Sequence, residues 1–152
     1  MKKTNHILIA IVFLIFSTTF YGQTHTITLN VDTANLNANN ASSSSISYFE
    51  APNSNVEVDS PPEDFTIIVE EGATIIWEGV STSSDDTVDI FMIKRERGPR
   101  IFASDEIPGN GTVQAVVNAQ TPNEAFKYKI LFKVNGTGRM YKIDPKIKVG
   151  GN

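Results

Sequence analysis

The chain has no cysteine, and its two histidines, His6 and His25, both lie within the first 25 residues. No disulfide framework can staple it, so its stability must come from packing. A serine or cysteine nucleophile in the body of the chain would lack an imidazole partner, which excludes triad-type catalysis. A blue copper centre needs two imidazoles and a thiolate, and those are missing as well. Positive charge is sparse and uneven: from Glu50 to Ile93 there are eleven acids and no Lys or Arg. A net charge of −4 argues against nucleic acid as a main partner, because phosphate contacts want the opposite sign. No window shows a helical period, and the apolar run Ile7–Phe16 falls short of the roughly 20 residues a spanning helix needs.

Lys2 and Lys3 precede that run, and Ser17-Thr18-Thr19 follows it. This order of basic end, apolar middle and small polar residues reads as a secretory signal peptide over residues 1–22, with cleavage near Gly22-Gln23. The expected product is a secreted or periplasmic single domain, residues 23–152, with no membrane attachment after cleavage. With Lys2 and Lys3 gone, 11 basic residues face 17 acidic ones, a net charge of −6. Cleavage after Gly22 would leave Gln23-Thr24-His25 at the amino end. An amine, two amides and an imidazole in that order can hold Cu(II) or Ni(II) in a square plane. The plainer expectation for His25 is an exposed side chain on a frayed end.

Alternation of apolar and polar residues marks the strands. Ile27, Leu29 and Val31 share one face of an opening strand, with Thr26, Thr28 and Asn30 opposite. Residues 34–47 are mostly Asn, Ala and Ser, with little apolar surface to bury, and read as a low-complexity loop. Ser47-Tyr48-Phe49 reads as a short strand, and 53–64, with Pro61-Pro62, as a connection. Two β-branched runs flank Glu70-Glu71-Gly72 and suggest a central hairpin over Phe65–Gly79. Val88–Lys94 is apolar on both faces, as expected of an interior strand. Pro108-Gly109-Asn110-Gly111 reads as a turn, after which Val113, Ala115 and Val117 line up. Phe126, Tyr128, Ile130, Phe132 and Val134 share a face, Asn135-Gly136 supplies a turn, and Tyr141, Ile143, Ile147 and Val149 continue beyond it. Pro145 should place the return strand at an edge or a bulge. The pattern predicts an all-β, antiparallel Greek-key-type sandwich of about seven strands.

FTIIVEEGATIIW, IPGNGTV and KYKILFKVNGTGRMYKIDPKIKV together resemble the strand-turn-strand, glycine turn and final hairpin of cupredoxins, over Phe65 to Val149. The resemblance implies the sandwich. It does not bring the metal site, because Phe132 stands where the cysteine would be and Asn135 where the histidine would be. Met140 alone corresponds to a ligand, so no copper or other cofactor is expected.

Asp85, Asp86 and Asp89 lie close together, yet their spacing matches no calcium loop, and a solvated turn accounts for them. Trp77 and Tyr48 could serve as sugar-stacking platforms, although alternation groups Trp77 with Ile75 and hence with the core. From Ala125 to Asn152 there are seven bases and one acid. Lys127, Lys129, Lys133, Lys142, Lys146 and Lys148 alternate with core-facing residues and should form one basic sheet face. Such lysines often only protect an edge strand. As a functional surface they would steer an acidic protein, an acidic glycan or another copy of the chain. The expectation is a non-catalytic, exported binding or structural protein, with a carbohydrate-binding module as the alternative.

Overall fold

The computed structural model describes residues 22–121 and 124–150. The segment read as a signal peptide, apart from Gly22, lies outside the described residues. Eleven strands follow one another: β1 (Thr24–Val31), β2 (Ser47–Glu50), β3 (Val56–Val58), β4 (Thr66–Val69), β5 (Thr74–Ser81), β6 (Val88–Arg97), β7 (Glu106–Gly111), β8 (Val113–Val116), β9 (Phe126–Val134), β10 (Thr137–Ile143) and β11 (Lys146–Val149). They form a four-stranded sheet, β2-β1-β5-β8, and a seven-stranded sheet, β3-β4-β11-β9-β6-β7, with β10 paired to β9. The all-β sandwich is as expected, built from more strands than the expected seven or so.

Two features depart from the expected antiparallel pattern. β1 pairs with β5 in parallel, and so does β4 with β11. A parallel pair needs a long crossover. The chain supplies one by visiting the large sheet through β3 and β4 before returning to the small sheet as β5. The run Phe65–Gly79 is therefore no hairpin. β4 and β5 lie in different sheets, and the turn between them, with Gly72 at φ 87, arches from one layer to the other. Both runs are apolar because Ile67 and Val69 on one sheet and Ile75 and Trp77 on the other are all buried in the interior.

The pleat sorts every long strand as its sequence suggests. Along β9, Phe126, Tyr128, Ile130 and Phe132 are buried and the lysines between them are not. Asn135 and Gly136, at φ 52 and 62, close the two-residue turn into β10, a geometry whose twist matches the flanking strands. The chain then breaks at Asp144-Pro145, so the expected return strand becomes two. β10 flanks the far half of β9, while β11 enters between β9 and β4. The segment Pro108-Gly109-Asn110-Gly111 is part of β7 rather than a turn, paired to β6 through a register shift that accommodates its proline and glycines.

Residues 34–47 fold down through side-chain turns. Asp32 accepts from the Asn35 amide, Asn40 from the Asn37 amide, and the Asn40 side chain donates to the Asn35 carbonyl. These short polar groups replace ladder bonds and set Ala41 into the core.

Trp77 is fully buried at the centre, edge-on to Phe102 and Tyr128. Its Nε1 donates to Tyr128 Oη at 3.1 Å, the one interior partner that its polar handle needs. Burial holds the Tyr128 hydroxyl protonated far above the usual phenol range. Phe102 reaches this cluster because Arg95 clamps Asp105 at 2.8 and 3.2 Å and the Gly98 carbonyl at 3.0 Å, fixing the 98–105 loop. Tyr128→Phe leaves the indole N–H without a partner and is expected to cost about 1–3 kcal/mol. Adding Trp77→Phe should cost less than the two single losses summed. Denaturant melts of the four proteins measure this, and strict additivity would show that the bond carries no energy.

Candidate functional site

Three neighbouring strands assemble the lysines. β9 projects Lys127, Lys129 and Lys133 outward, β10 adds Lys142, and β11 adds Lys146 and Lys148, all on the outer face of the large sheet opposite its buried side. The face exists as expected, but it is not uniformly basic. Glu96 bridges Lys127 at 3.2 Å and Lys129 at 2.7 Å. Asp64 meets Lys146 at 2.9 Å, and Glu57 meets Lys148 at 2.7 Å. Lys133 lies over the Phe91 ring, 5.0 Å from its centroid. Among the described residues Lys142 and the exposed Arg139 make no ion pair.

The acids that meet β11 come from the segment in which lysine and arginine are absent. The parallel pairing of β4 with β11 sets Thr66 beside Lys146 and Ile68 beside Lys148, which brings Asp64 and Glu57 within reach. Charge segregated along the chain is thus interleaved on the sheet. Each solvent-reached pair contributes about 0.2–1 kcal/mol. The small sheet differs, since β1, β2, β5 and β8 hold no Lys or Arg. Their outward acids, Glu50 and Glu78, accept hydrogen bonds from Asn30 and Thr28. The bases of this face that make no ion pair among the described residues, Lys133, Arg139 and Lys142, lie toward the β9–β10 end, where Asp89 stands opposite Lys133 and Asp86 accepts from Asn135 of the turn.

At the break between β10 and β11, Asp144 joins Glu96, Lys127 and Lys129. The Lys129 hydrogen bond holds Glu96 below the usual glutamate range and raises Lys129 in turn. Burial lifts the Asp144 carboxyl above its ordinary value, reinforced by Glu96 and opposed by Lys129, Lys127 and Lys142. Asp144 Oδ1 is buried without a hydrogen-bond partner.

The remaining candidates fall elsewhere. His25 is 3% exposed on β1, with Nε2 3.4 Å from a carboxylate oxygen of Glu70. It is neither frayed nor chelating. Chelation through its own amide would need the backbone to wrap a metal, and here that backbone runs extended beside β5. Asp86 accepts from Ser84 at 2.6 Å and from Asn135 at 2.7 Å, and Asp89 from Thr87 at 2.7 Å, so two of the clustered acids serve their loop. Among the described residues no three His, Cys, Asp or Glu side chains converge as a metal site. Of the positions matching copper ligands, Phe132 is buried, Asn135 is in the turn, and Met140 is exposed on β10. Trp77 is core. Tyr48 is 46% exposed and borders a groove of about 630 Å³ with Glu50, Asn53 and Asp59. Sequence reasoning missed this groove, because Asp59 and Asn53 meet Tyr48 only through the fold.

These features define an all-β sandwich of two mixed sheets with a charge-interleaved outer face. Among solved structures the fold is shared by the inclusion body protein PixA from Burkholderia cenocepacia J2315. The TM-score is 0.60 at 14% identity, covering 85% of this chain and 96% of that one. At that identity the likeness extends to the fold alone. No protein-family model matches the chain, and no curated protein matches it in sequence.

An acid whose folded pKa is raised contributes stability fully below its unfolded value, near 3.8, and loses it as pH rises through the raised value. Ionised Asp144 thus costs stability at neutral pH. Asp144→Asn is expected to raise Tm at pH 7 and to change it little below about pH 3.5. Calorimetry across that range tests the sign, and a gain undiminished in acid would contradict it.

Proposed function

We propose that the protein is an exported, non-catalytic sandwich that acts by binding, its lysine-bearing face meeting an acidic protein or glycan. The observation that carries this reading is the placing of six lysines on one outer face, with Lys133, Arg139 and Lys142 outside any ion pair among the described residues at its β9–β10 end, although Asp89 stands opposite Lys133. Charges outside an ion pair attract from a distance and set encounter rates. Export rests on the Lys2-Lys3 end and the Ile7–Phe16 run. A copper-free relation to cupredoxins belongs to the same reading and rests on the sequence pattern over Phe65 to Val149. The neighbour's role as an inclusion body protein is compatible with a structural job here.

A second reading, a carbohydrate-binding module, is favoured by the Tyr48 groove. One aromatic plate beside Glu50, Asn53 and Asp59 can stack a sugar ring and accept from its hydroxyls. Among the described residues Tyr48 is the single aromatic in the exposed large apolar set, so it offers one plate rather than a row.

Heparin serves as the acidic probe. Lys133→Glu with Lys142→Glu is expected to weaken its binding about ten-fold or more, some 1.4 kcal/mol, and to flatten the salt dependence. Unchanged affinity would contradict the lysine-face reading. Loss of neutral-oligosaccharide binding in Tyr48→Ala would instead support the groove.

A further inference from the structure

Strands that end a sheet expose a row of unpaired backbone groups, and folded proteins blunt such edges with charge, proline, bulges or brevity. Four of the edges here are blunted in this way. β2 is short and carries Glu50, and β3 has three residues and carries Glu57. β7 carries Glu106 and Pro108. β10 carries Arg139 and Lys142 and shifts register between Thr137 and Tyr141. β8, Val113-Gln114-Ala115-Val116, is as short as β2 but carries no charge, no proline and no register shift. It is in register with β5 along its length, and lies in a stretch without charge from Ile107 to Thr121.

Its open side can be specified residue by residue. Val117 makes both of its backbone bonds on the β5 side, donating to Ala73 and accepting from Gly72. Antiparallel pairing alternates, so the amides and carbonyls of Gln114 and Val116 point away from β5. The window closes at Asn118, whose amide donates to the Ile101 carbonyl at 2.7 Å. Beside the window runs a groove of about 310 Å³ bordered by Phe102, Ala103, Ile107, Ala115 and Val116. Val116 itself is 48% exposed, a large apolar side chain on the outer face.

We propose that this edge pairs with the same edge of a second copy, antiparallel across a two-fold axis at Ala115. Gln114 then exchanges both backbone bonds with Val116 of the other copy, and the reciprocal pair follows by symmetry. A two-fold contact must be self-complementary, and three features of β8 satisfy that. The central residue is alanine, small enough for the close approach of about 4.5 Å between Cα atoms at a non-hydrogen-bonded pair. The strip is uncharged, so two copies of a net-acidic chain meet where they do not repel. The groove lies on the side toward which inward side chains of an added strand point, the arrangement by which strand addition gains specificity. The product is a continuous eight-stranded sheet built from two four-stranded ones. This surface is separate from the lysine face, and either can fail without the other.

The absence of native cysteine makes the register directly testable. Ala115→Cys places one thiol per chain at the axis, within disulfide reach of its mate. Gln114→Cys places its thiol two residues out of step and beyond that reach. Mild oxidation is expected to link the first variant into dimers and not the second. Sedimentation of the otherwise unaltered protein should show a concentration-dependent dimer. Val116→Lys, on the exposed outer face, should weaken that dimer at least about ten-fold with the melting curve unchanged, and Gln114→Lys should do the same. A chain that stays monomeric at every concentration, whether its β8 edge is bare or taken by a strand of a different protein, overturns the proposal. So does linkage through Gln114→Cys in preference to Ala115→Cys.

Discussion

The seven-stranded sheet holds together because the last strand does not finish the hairpin it begins. After Asp144-Pro145 the chain slips between β9 and β4. The Lys146 amide donates to the Phe65 carbonyl at 2.9 Å, the Gly150 amide to the Val69 carbonyl at 3.1 Å, and the Tyr128 amide to the Pro145 carbonyl at 3.1 Å. Without β11, the β3–β4 pair would have no ladder to the rest of its sheet. Proline suits the hinge because it has no N–H to place while the ladder changes partners. One insertion therefore sets the sheet order, closes the core over Ile147 and Val149, and decides which acids the C-terminal lysines meet.

That last consequence shapes the surface. A chain with its acids upstream and its bases downstream could have folded into a strongly polarised object. Parallel pairing of β4 with β11 instead lays Glu57 and Asp64 against Lys148 and Lys146, and the Glu96 bridge does the same for Lys127 and Lys129. What is left over is local: three bases without ion pairs among the described residues toward the β9–β10 hairpin, with Asp86 and Asp89 beside them, and a small sheet without bases.

How much of this can be read from the chain depends on the range of the interaction. Which way a side chain faces is a local, period-two property, so the inward set of β1 and β9 and the core position of Trp77 are legible, whereas β6, apolar on both faces, shifts register between Ile90 and Met92 and buries Ile93 instead of Met92. The type of turn at Asn135-Gly136 is legible too, because positive φ selects those residues. Strand partners are not. The turn at Glu70-Glu71-Gly72 serves equally for a hairpin and for an arch between layers, since both need two apolar runs and a glycine at positive φ. β7 is hidden because Pro108 and three nearby small or polar residues carry a turn composition, and only pairing with β6 makes them a strand. The groove at Tyr48 and the neutralised lysines are further from view, as both depend on residues brought together by β11 and by the folded 34–47 loop. His25 misleads for the same reason: its burial against Glu70 follows from β1 lying beside β5.

The parallel register of β4 with β11 is the claim on which the rest stands, and it can be measured by a crosslink. Ile68 and Lys148 are direct partners in that register, about 4.8 Å apart as neighbouring strands are and within the range a disulfide spans. In a chain without other thiols, the Ile68→Cys, Lys148→Cys protein is expected to oxidise to one intrachain disulfide with its melting temperature held or raised. Two free thiols that persist in the folded, oxidised protein would show that β11 does not lie there.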